Sequence, residues 1–201
     1  KDTIKIGSVG QALPHCDVKI SKEKEILIKH DALMDGYYKM DEETNKTIID
    51  GWLHTGDEGD IDNDGFLTIT GRVKDLFKTS KGKYIAPSPI EMKLSVNKNI
   101  AQVCVVGTGL PQPIAIVVLS ERGKNRSKQD LKRSLVKTLD IVNHKLDTHQ
   151  RLHNLIIISD DWTVENRFLT PTMKIKRNLI ENSYNKHYED WYNAEQVFII
   201  D

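Results

Sequence analysis

The sequence predicts an α+β fold in two parts, a strand-rich first part followed by a smaller part in which strands and helices alternate. Up to about residue 71, short alternating apolar runs are separated by turn residues. Beyond residue 72, three continuous apolar runs are separated by amphipathic helical patterns. The order β-α-β-β-α-β-α over residues 72–201 predicts a central sheet of about three strands with flanking helices, plus a hairpin.

Two hairpins are predicted in the first part. Residues 18–20 and 25–29 alternate around a short charged turn. Residues 52–62 and 66–70 flank an Asn-Asp-Gly sequence, which is a strong signal for a hairpin turn.

The acidic run before the second turn imitates the first half of a calcium-binding loop. Asp60-x-Asp62-x-Asp64-Gly65 has the required spacing, but Gly71 stands where the loop needs a bidentate glutamate. The flanking segments are also predicted strands rather than helices. We therefore interpret the run as a hairpin turn and predict no metal site.

A basic stretch, residues 71–83, joins the two parts and contains five Lys or Arg residues. A strand-like run occupies residues 73–77, and Gly82 can adopt a positive φ that would turn the backbone toward an anion. The simpler interpretation is an edge strand and hairpin protected from aggregation by lysines. Spacing alone favours this simpler interpretation.

The predicted strands of the second part are residues 103–106, 114–119 and 155–158, since each is a continuous apolar run typical of a buried strand. Cys104 lies within the first run and is predicted to be a buried core thiol. Residues 122–128 are predicted to form a charged loop.

Three helices are predicted in the second part. Ser88-Pro-Ile-Glu91 has the pattern of a capping box, which predicts a helix from there to about residue 97. Ser127 would cap a second helix, whose apolar stripe contains Leu131, Leu135, Leu139, Val142 and Leu146. Residues 177–192 are predicted to form one amphipathic helix.

The composition excludes several classes of protein. The 201 residues contain 29 basic and 29 acidic side chains. The chain therefore lacks the excess of basic residues that is typical of a nucleic-acid-binding protein. No apolar run has the length of about 20 residues that a transmembrane helix needs. The two cysteines lie far apart and suggest neither a disulfide framework nor a metal site, which favours the reducing cytoplasm.

Two more stretches could form a binding site. Asp57 follows a Thr-Gly turn, where a carboxylate could accept hydrogen bonds from a ribose diol, although a turn-capping role is the simpler interpretation. Residues 168–177 form a Pro-restricted loop that presents Lys174, Lys176 and Arg177 just before a helix. A single basic loop of this kind is usually solvated.

Taken in order, these stretches resemble the adenylate-forming superfamily of acyl-CoA synthetases, luciferases and peptide-synthetase adenylation domains. Residues 52–57 (WLHTGD) resemble its (Y/W)xxTGD motif, and residues 71–87 resemble its GRxKDxxK…G…AP segment. Residues 170–177 (TPTMKIKR) resemble its C-terminal lysine loop. The residues of the last two motifs are most similar to those of long-chain fatty acid–CoA ligases.

The resemblance implies nucleotide-binding and hinge residues. Asp57 would hold the ribose hydroxyls of ATP and of the acyl-adenylate, and Arg72 would contact the same ribose and nearby phosphate oxygens. Lys74 and Asp75 would belong to a hinge, residues 72–76, about which the C-terminal domain swings between an adenylating and a thioester-forming pose.

The resemblance also assigns the two basic loops to different half-reactions. Lys174 would bridge the substrate carboxylate and the α-phosphate during adenylation. Thr172-Met173-Lys174 replaces the Ser-Gly-Lys of many relatives, so Lys176 is the alternative amine; Lys176 and Arg177 would otherwise start the helix or contact a CoA phosphate. The loop of the thioester-forming step would contain Lys78, Lys81, Gly82 and Lys83.

Residues 1–71 would then be the end of a large AMP-binding domain and residues 73–201 the AMP-binding enzyme C-terminal domain. The parent protein would be an ATP-dependent ligase that activates a medium- or long-chain fatty acid and transfers it to CoA, with ATP and Mg²⁺ as cofactors. The phosphate loop, acyl pocket and Mg²⁺ ligand would lie in a preceding domain, so the present chain would be inactive alone.

Two alternatives are an enzyme that transfers the acyl group to a carrier protein and a non-catalytic interaction module. The location would be cytoplasmic, with peripheral membrane contact left open.

Overall fold

The structure, a computed structural model, describes residues 4–199. Residues 1–3, 200 and 201, which the predicted domain boundaries include, lie outside this range. The chain divides into two structural units, Lys1–Lys74 and Asp75–Asp201.

The first unit is built on an antiparallel sheet. Its strands are β1 (Gly10–Gln11), β2 (Asp17–Ile20), β3 (Glu25–Lys29), β4 (Ile48–Ile49), β5 (Trp52–Ile61) and β6 (Phe66–Arg72). Five of them follow the order β1-β6-β5-β3-β2, and β4 pairs with the start of β5. One short helix, α1 (Asp41–Thr47), precedes β4.

Both predicted hairpins of the first unit are confirmed. β2 pairs with β3, and β5 pairs with β6, each in antiparallel register. In the second turn, Asp62 Oδ1 accepts hydrogen bonds from the backbone N–H groups of Asp64 and Phe66, both at 2.9 Å. Gly65 has a φ of 80°, which a side chain would strain. The acidic run is thus used to close a turn.

The second unit combines a mixed sheet with a small hairpin. Its strands are β7 (Phe77–Lys78), β8 (Tyr84–Ile85), β9 (Ile100–Val106), β10 (Ile114–Leu119), β11 (Leu155–Ile158) and β12 (Val197–Ile199). β7 and β8 form the hairpin, and the others form a sheet of order β12-β11-β10-β9. β9 and β10 are antiparallel, whereas β11 runs parallel to β10 and β12.

The helices of the second unit cover both faces of this sheet. They are α2 (Pro87–Leu94), α3 (Glu121–Lys124), α4 (Lys128–His144), α5 (Arg177–Tyr184) and α6 (Tyr188–Tyr192). Side chains alternate along each strand, so one apolar cluster lies on the face covered by α2 and α4, and a second lies on the face covered by α5 and α6. No helix within residues 4–199 is both long and apolar enough to cross a membrane.

The predicted central strands and the capped helix are confirmed. β9, β10 and β11 contain the three apolar runs, and Cys104 is fully buried in β9. Ser127 Oγ accepts the backbone N–H of Asp130 at 3.1 Å and so caps α4 as predicted. The five residues of the predicted stripe on α4 and just beyond it are all buried.

The predicted capping box at Ser88 is wrong. Helix α2 begins at Pro87, two residues before the start that a Ser88 cap implies, and its N-cap is Ala86, which provides no side-chain cap. Proline suits the first helical position because its missing N–H would have no partner there. Glu91 does not cap the helix, since its carboxylate accepts hydrogen bonds from Val105 and Arg177 instead. The helix ends at Leu94 rather than near residue 97.

Four other predictions require correction. The strand-like run 73–77 is a 3₁₀ turn, Val73–Asp75, followed by the two-residue strand β7. The charged loop 122–128 begins within helix α3. The predicted helix 177–192 is divided by the 3₁₀ turn Asn185–His187, where asparagine and histidine are weak helix formers. The fourth strand, β12, was not predicted because three residues carry too little periodicity to be recognised.

Candidate functional site

The two predicted nucleotide-binding residues lie side by side in the first unit. Asp57 on β5 and Arg72 on β6 are directly paired across the two strands. Arg72 Nε lies 3.1 Å from Asp57 Oδ1, and the Arg72 guanidinium also donates to the carbonyl oxygen of Thr55 at 3.4 Å. The Arg72 side chain is 56% exposed and that of Asp57 35%, so this pair contributes little to stability, about 0–1 kcal/mol. Both groups can therefore exchange partners at low cost.

Glu25, which the sequence did not single out, fixes the turn that carries Asp57. Its Oε1 accepts the backbone N–H of Gly56 at 2.8 Å, and its Oε2 lies 2.8 Å from His54 Nδ1. Thr55 Oγ1 donates to the carbonyl oxygen of Ile26 at 2.7 Å and accepts the N–H of Asp57 at 3.1 Å. These contacts depend on how β3 pairs with β5, which a linear pattern does not specify.

The predicted hinge residues lie at the boundary between the units. Lys74 and Asp75 belong to the 3₁₀ turn Val73–Asp75, and the first unit ends at Lys74. Lys74 is exposed, whereas Asp75 is half-buried. In the second unit, Asp75 Oδ2 lies 3.7 Å from Arg177 Nε.

The lysine-rich loop between β7 and β8 is a tightly bonded hairpin turn. The N–H of Thr79 donates to the carbonyl oxygen of Lys83 at 2.9 Å, and the N–H of Gly82 donates to that of Thr79 at 2.9 Å. The Thr79 side chain is buried, and Gly82 has a φ of 75°. The lysines of the loop are exposed: Lys78, Lys81 and Lys83. The backbone is therefore ordered while the three amines remain in solvent.

Lys174 lies on a second tight turn. Its carbonyl oxygen accepts the N–H of Thr170 at 2.8 Å, and its own N–H donates to Thr170 Oγ1 at 3.0 Å. Met173 occupies the left-handed region with a φ of 62° and is exposed. Glycine is the residue that adopts this conformation without strain, so a methionine here is unusual. Across residues 4–199, no carboxylate lies within 4.0 Å of the exposed Lys174 amine.

Arg177 is the first residue of α5 and points into the protein. Its NH1 donates to the carbonyl oxygen of Val105 at 2.8 Å and lies 3.1 Å from Cys104 Sγ, and its NH2 donates to Glu91 Oε1 at 2.7 Å. The side chain is only 11% exposed. The predicted helix-start position is confirmed, but a contact with a CoA phosphate does not fit a guanidinium already bonded inside the fold. Lys176, the alternative amine, is the half-buried N-cap residue of α5.

The same contacts close the edge of the second sheet. β9 is its edge strand, so one side of Val105 has no neighbouring strand. Glu91 Oε1 accepts the N–H of Val105 at 2.7 Å, and Arg177 donates to its carbonyl oxygen. An ion pair thus takes the place of the missing strand. We call Arg177, Glu91 and the Val105 backbone the edge clamp.

Burial alters the titration of groups around the edge clamp. It raises the pKa of the Glu91 carboxyl, an effect that the Arg177 charge opposes. Burial likewise raises the pKa of Glu181, one turn further along α5. It also raises the pKa of the Cys104 thiol well above its usual range, so this cysteine is a poor nucleophile.

Comparison with known proteins identifies the second unit. Residues 74–196 match the family described as AMP-binding enzyme C-terminal domain. The chain belongs to this family. The match includes both lysine-bearing loops, residues 78–83 and 170–177, and the edge clamp. It starts within one residue of the boundary between the two units.

Curated relatives of this AMP-binding C-terminal domain are fatty-acid–CoA ligases, in agreement with the resemblance of the motifs. A long-chain-fatty-acid–CoA ligase of Mycobacterium tuberculosis is 31% identical over 96% of the chain, and the chain spans 35% of that protein. Long-chain-fatty-acid–CoA ligase 5 of Mus musculus is 29% identical over 87% of the chain, which spans 28% of its length. The chain therefore corresponds to about a third of these relatives.

The fold is shared with adenylating enzymes of known structure. The adenylation domain of a carboxylate reductase from Mycobacterium chelonae superposes with a TM-score of 0.76 at 24% identity, covering 89% of this chain and 31% of that one. An O-succinylbenzoate coenzyme A synthetase from Bacillus subtilis in complex with AMP gives 0.67 at 24% identity, covering 88% and 36%. These comparisons confirm the α+β fold class.

The conformation of Gly82 generates a stability prediction. A Cβ added at Gly82 would meet only Lys78 Cε, at 3.7 Å, so the cost of a side chain comes from the backbone conformation and not from a clash. We expect Gly82→Ala to lower the free energy of unfolding by about 1 kcal/mol, measured by urea denaturation. Ser80→Ala, in the same turn, is the control and should have little effect. An unchanged stability for Gly82→Ala would contradict the described turn.

Proposed function

We propose that this chain is the C-terminal part of an ATP-dependent acid–CoA ligase that activates a medium- or long-chain fatty acid. The observation that carries the proposal is the exposed amine of Lys174 on a turn that the backbone fixes. The names of the curated relatives support the substrate class and the CoA acceptor. Residues 1–71 would complete a large AMP-binding domain, residues 72–76 would be the hinge, and residues 73–201 would be the mobile domain.

In the first half-reaction, a carboxylate oxygen of the fatty acid attacks the α-phosphorus of ATP. The new oxygen–phosphorus bond replaces the bond to pyrophosphate, which leaves with its electron pair. Negative charge accumulates between the carboxylate and the α-phosphate, and the Lys174 ammonium would stabilise it there. Asp57 and Arg72 would release each other in part, so that the carboxylate accepts from the ribose hydroxyls and the guanidinium donates to ribose and phosphate oxygens.

In the second half-reaction, the CoA thiol loses its proton to solvent and its sulfur attacks the acyl carbon. The acyl–oxygen bond breaks, and AMP leaves. The turn of residues 79–83 would then face the reacting atoms, and Gly82 would allow the thiol-bearing arm to approach the backbone closely. Lys78, Lys81 and Lys83 would supply positive charge for the phosphates of CoA. Rotation at Lys74 and Asp75 would exchange the two loops.

Magnesium has no ligand set in the described part of the chain. Within residues 4–199, no group of three or more His, Cys, Asp or Glu side chains is arranged to hold a metal ion. When bound with ATP, Mg²⁺ would neutralise phosphate charge. We expect its ligand, the phosphate loop and the acyl pocket to be supplied by the preceding part of the large domain.

This division of labour predicts that the 201-residue chain alone is inactive. We expect no pyrophosphate above background when the chain is mixed with ATP, Mg²⁺ and palmitate, because the acyl and phosphate sites would be supplied by the preceding part of the large domain. The full-length ligase, assayed in parallel, is the positive control. Pyrophosphate release by the chain alone would reject the prediction.

Separate replacement of the two lysines in the full-length ligase tests which amine acts. Lys174→Ala should abolish pyrophosphate release but leave thioester formation from a supplied acyl-adenylate close to the wild-type rate. Lys176→Ala is the matched control and should retain adenylation, since Lys176 is a half-buried N-cap residue. Equal loss of both half-reactions in Lys174→Ala would reject the proposed role of this amine.

The acceptor is tested by offering the full-length wild-type ligase either CoA or a carrier-protein thiol. Preferred transfer to the carrier protein would reject CoA as the proposed acceptor.

A further inference from the structure

The lysine turn has two attachments to the rest of the second unit. On its N-terminal side, Leu169 pairs with Ile175 in an isolated antiparallel bridge, and the N–H of Lys176 donates to the carbonyl oxygen of Phe168 at 2.8 Å. These contacts shape the turn and anchor it in the apolar cluster on the face covered by α5 and α6, where Leu169 is fully buried. The second attachment is Arg177, whose side chain reaches the edge strand of the sheet.

The distance along the chain makes the second attachment important for Lys174. Arg177 is three positions after Lys174, so their Cα atoms lie within about 11 Å of each other. Lys176, the N-cap of α5, makes no capping hydrogen bond with its side chain, and neither does Ala86, the N-cap of α2. The Arg177–Glu91 contact and the Val105 backbone, which both side chains bind, link the start of α5 to the middle of α2 and to the edge strand.

We infer that Arg177 and Glu91 are positioning residues that hold the Lys174 turn in its adenylating geometry by fixing the start of α5 to the edge of β9. The inference rests on the proposed function of Lys174. Asp75 adds a link, because its carboxylate faces the same guanidinium and thereby connects the hinge end of the second unit to the base of the lysine turn. Arg177 itself is buried, so it acts through Lys174 and contacts no substrate.

The guanidinium suits this role better than an ammonium would. Its fixed fork donates NH1 to Val105 and NH2 to Glu91 at the same time, which sets the direction of α5 as well as its distance from the sheet. A lysine could replace the charge but not both directed hydrogen bonds. The Arg177→Lys variant should therefore fold, but its adenylation rate should remain below that of the wild type.

The test measures both half-reactions of the full-length ligase with Arg177→Gln. A displacement of Lys174 by about 1 Å would slow adenylation by about 100-fold, so we expect a loss of this order in pyrophosphate release. Thioester formation from a supplied acyl-adenylate should stay close to the wild-type rate, since it uses the other loop. Arg133→Gln, the same change at an exposed arginine on α4, is the matched control and should leave both rates unchanged.

The thioester-forming step separates positioning from general stability. If Arg177 acts through Lys174, then Arg177→Gln should slow adenylation and spare thioester formation. A purely structural role would lower both half-reactions, which would overturn the inference. Wild-type adenylation by a folded Arg177→Gln variant would also overturn it.

Glu91→Gln keeps the inference testable if Arg177→Gln does not fold. The amide oxygen of glutamine can still accept the N–H of Val105, but the charge that orients Arg177 is lost, so adenylation should fall while thioester formation is retained. Failure of the inference is distinguishable from failure of the proposed function. Adenylation that survives Lys174→Ala rejects the function, whereas adenylation lost in Lys174→Ala but intact in both clamp variants rejects only the inference.

Discussion

The edge clamp is the contact on which the organisation of the second unit depends. Strand β9 ends the sheet, and both polar groups of Val105 on its open side are bonded by side chains, the N–H by Glu91 and the carbonyl oxygen by Arg177. Because Glu91 belongs to α2 and Arg177 begins α5, the clamp joins one helix from each face of the sheet to the same residue. Removing one partner of such a buried pair typically costs about 3–5 kcal/mol, since it leaves an unpaired charge.

The two basic loops of the second unit share one design. In each, backbone and threonine hydrogen bonds close a tight turn, one residue adopts a positive φ, and the lysines remain in solvent. The residue with positive φ is Gly82 in one loop and Met173 in the other. An ordered backbone that presents exposed amines is suited to anionic ligands that arrive and leave, which agrees with the proposed exchange of the loops between two half-reactions.

Much of the fold follows from the sequence because its signals are local. The Asn-Asp-Gly turn, the apolar runs of β9 to β11 and the Ser127 cap each occupy a few consecutive residues. Glu91 shows where local patterns fail. It lies three residues after Ser88, as in a capping box. Its carboxylate instead accepts hydrogen bonds from Arg177, 86 positions further along the chain, and from the N–H of Val105. Glu25 escaped notice for the same reason, since its partners come from a strand 29–31 residues further on.

The candidate site residues were predicted from motifs, because composition and spacing alone favoured simpler interpretations. Asp57 and Arg72 are separated along the chain, and only the β5–β6 register brings them together. The sequence groups Arg177 with Lys176 as helix-start residues or CoA-phosphate contacts, because charge can be read from the sequence and burial cannot. The structure separates them, with Arg177 inside the fold and Lys176 at the helix cap.

A double-mutant cycle on Glu91 and Arg177 tests the edge clamp most directly. The free energy of unfolding of this chain would be measured by urea denaturation for Glu91→Gln, Arg177→Gln and the double variant. The edge clamp predicts that the two losses are not additive and that the coupling energy lies between about 1 and 3 kcal/mol. Additive losses would contradict it, because they would mean that the two side chains stabilise the second unit independently.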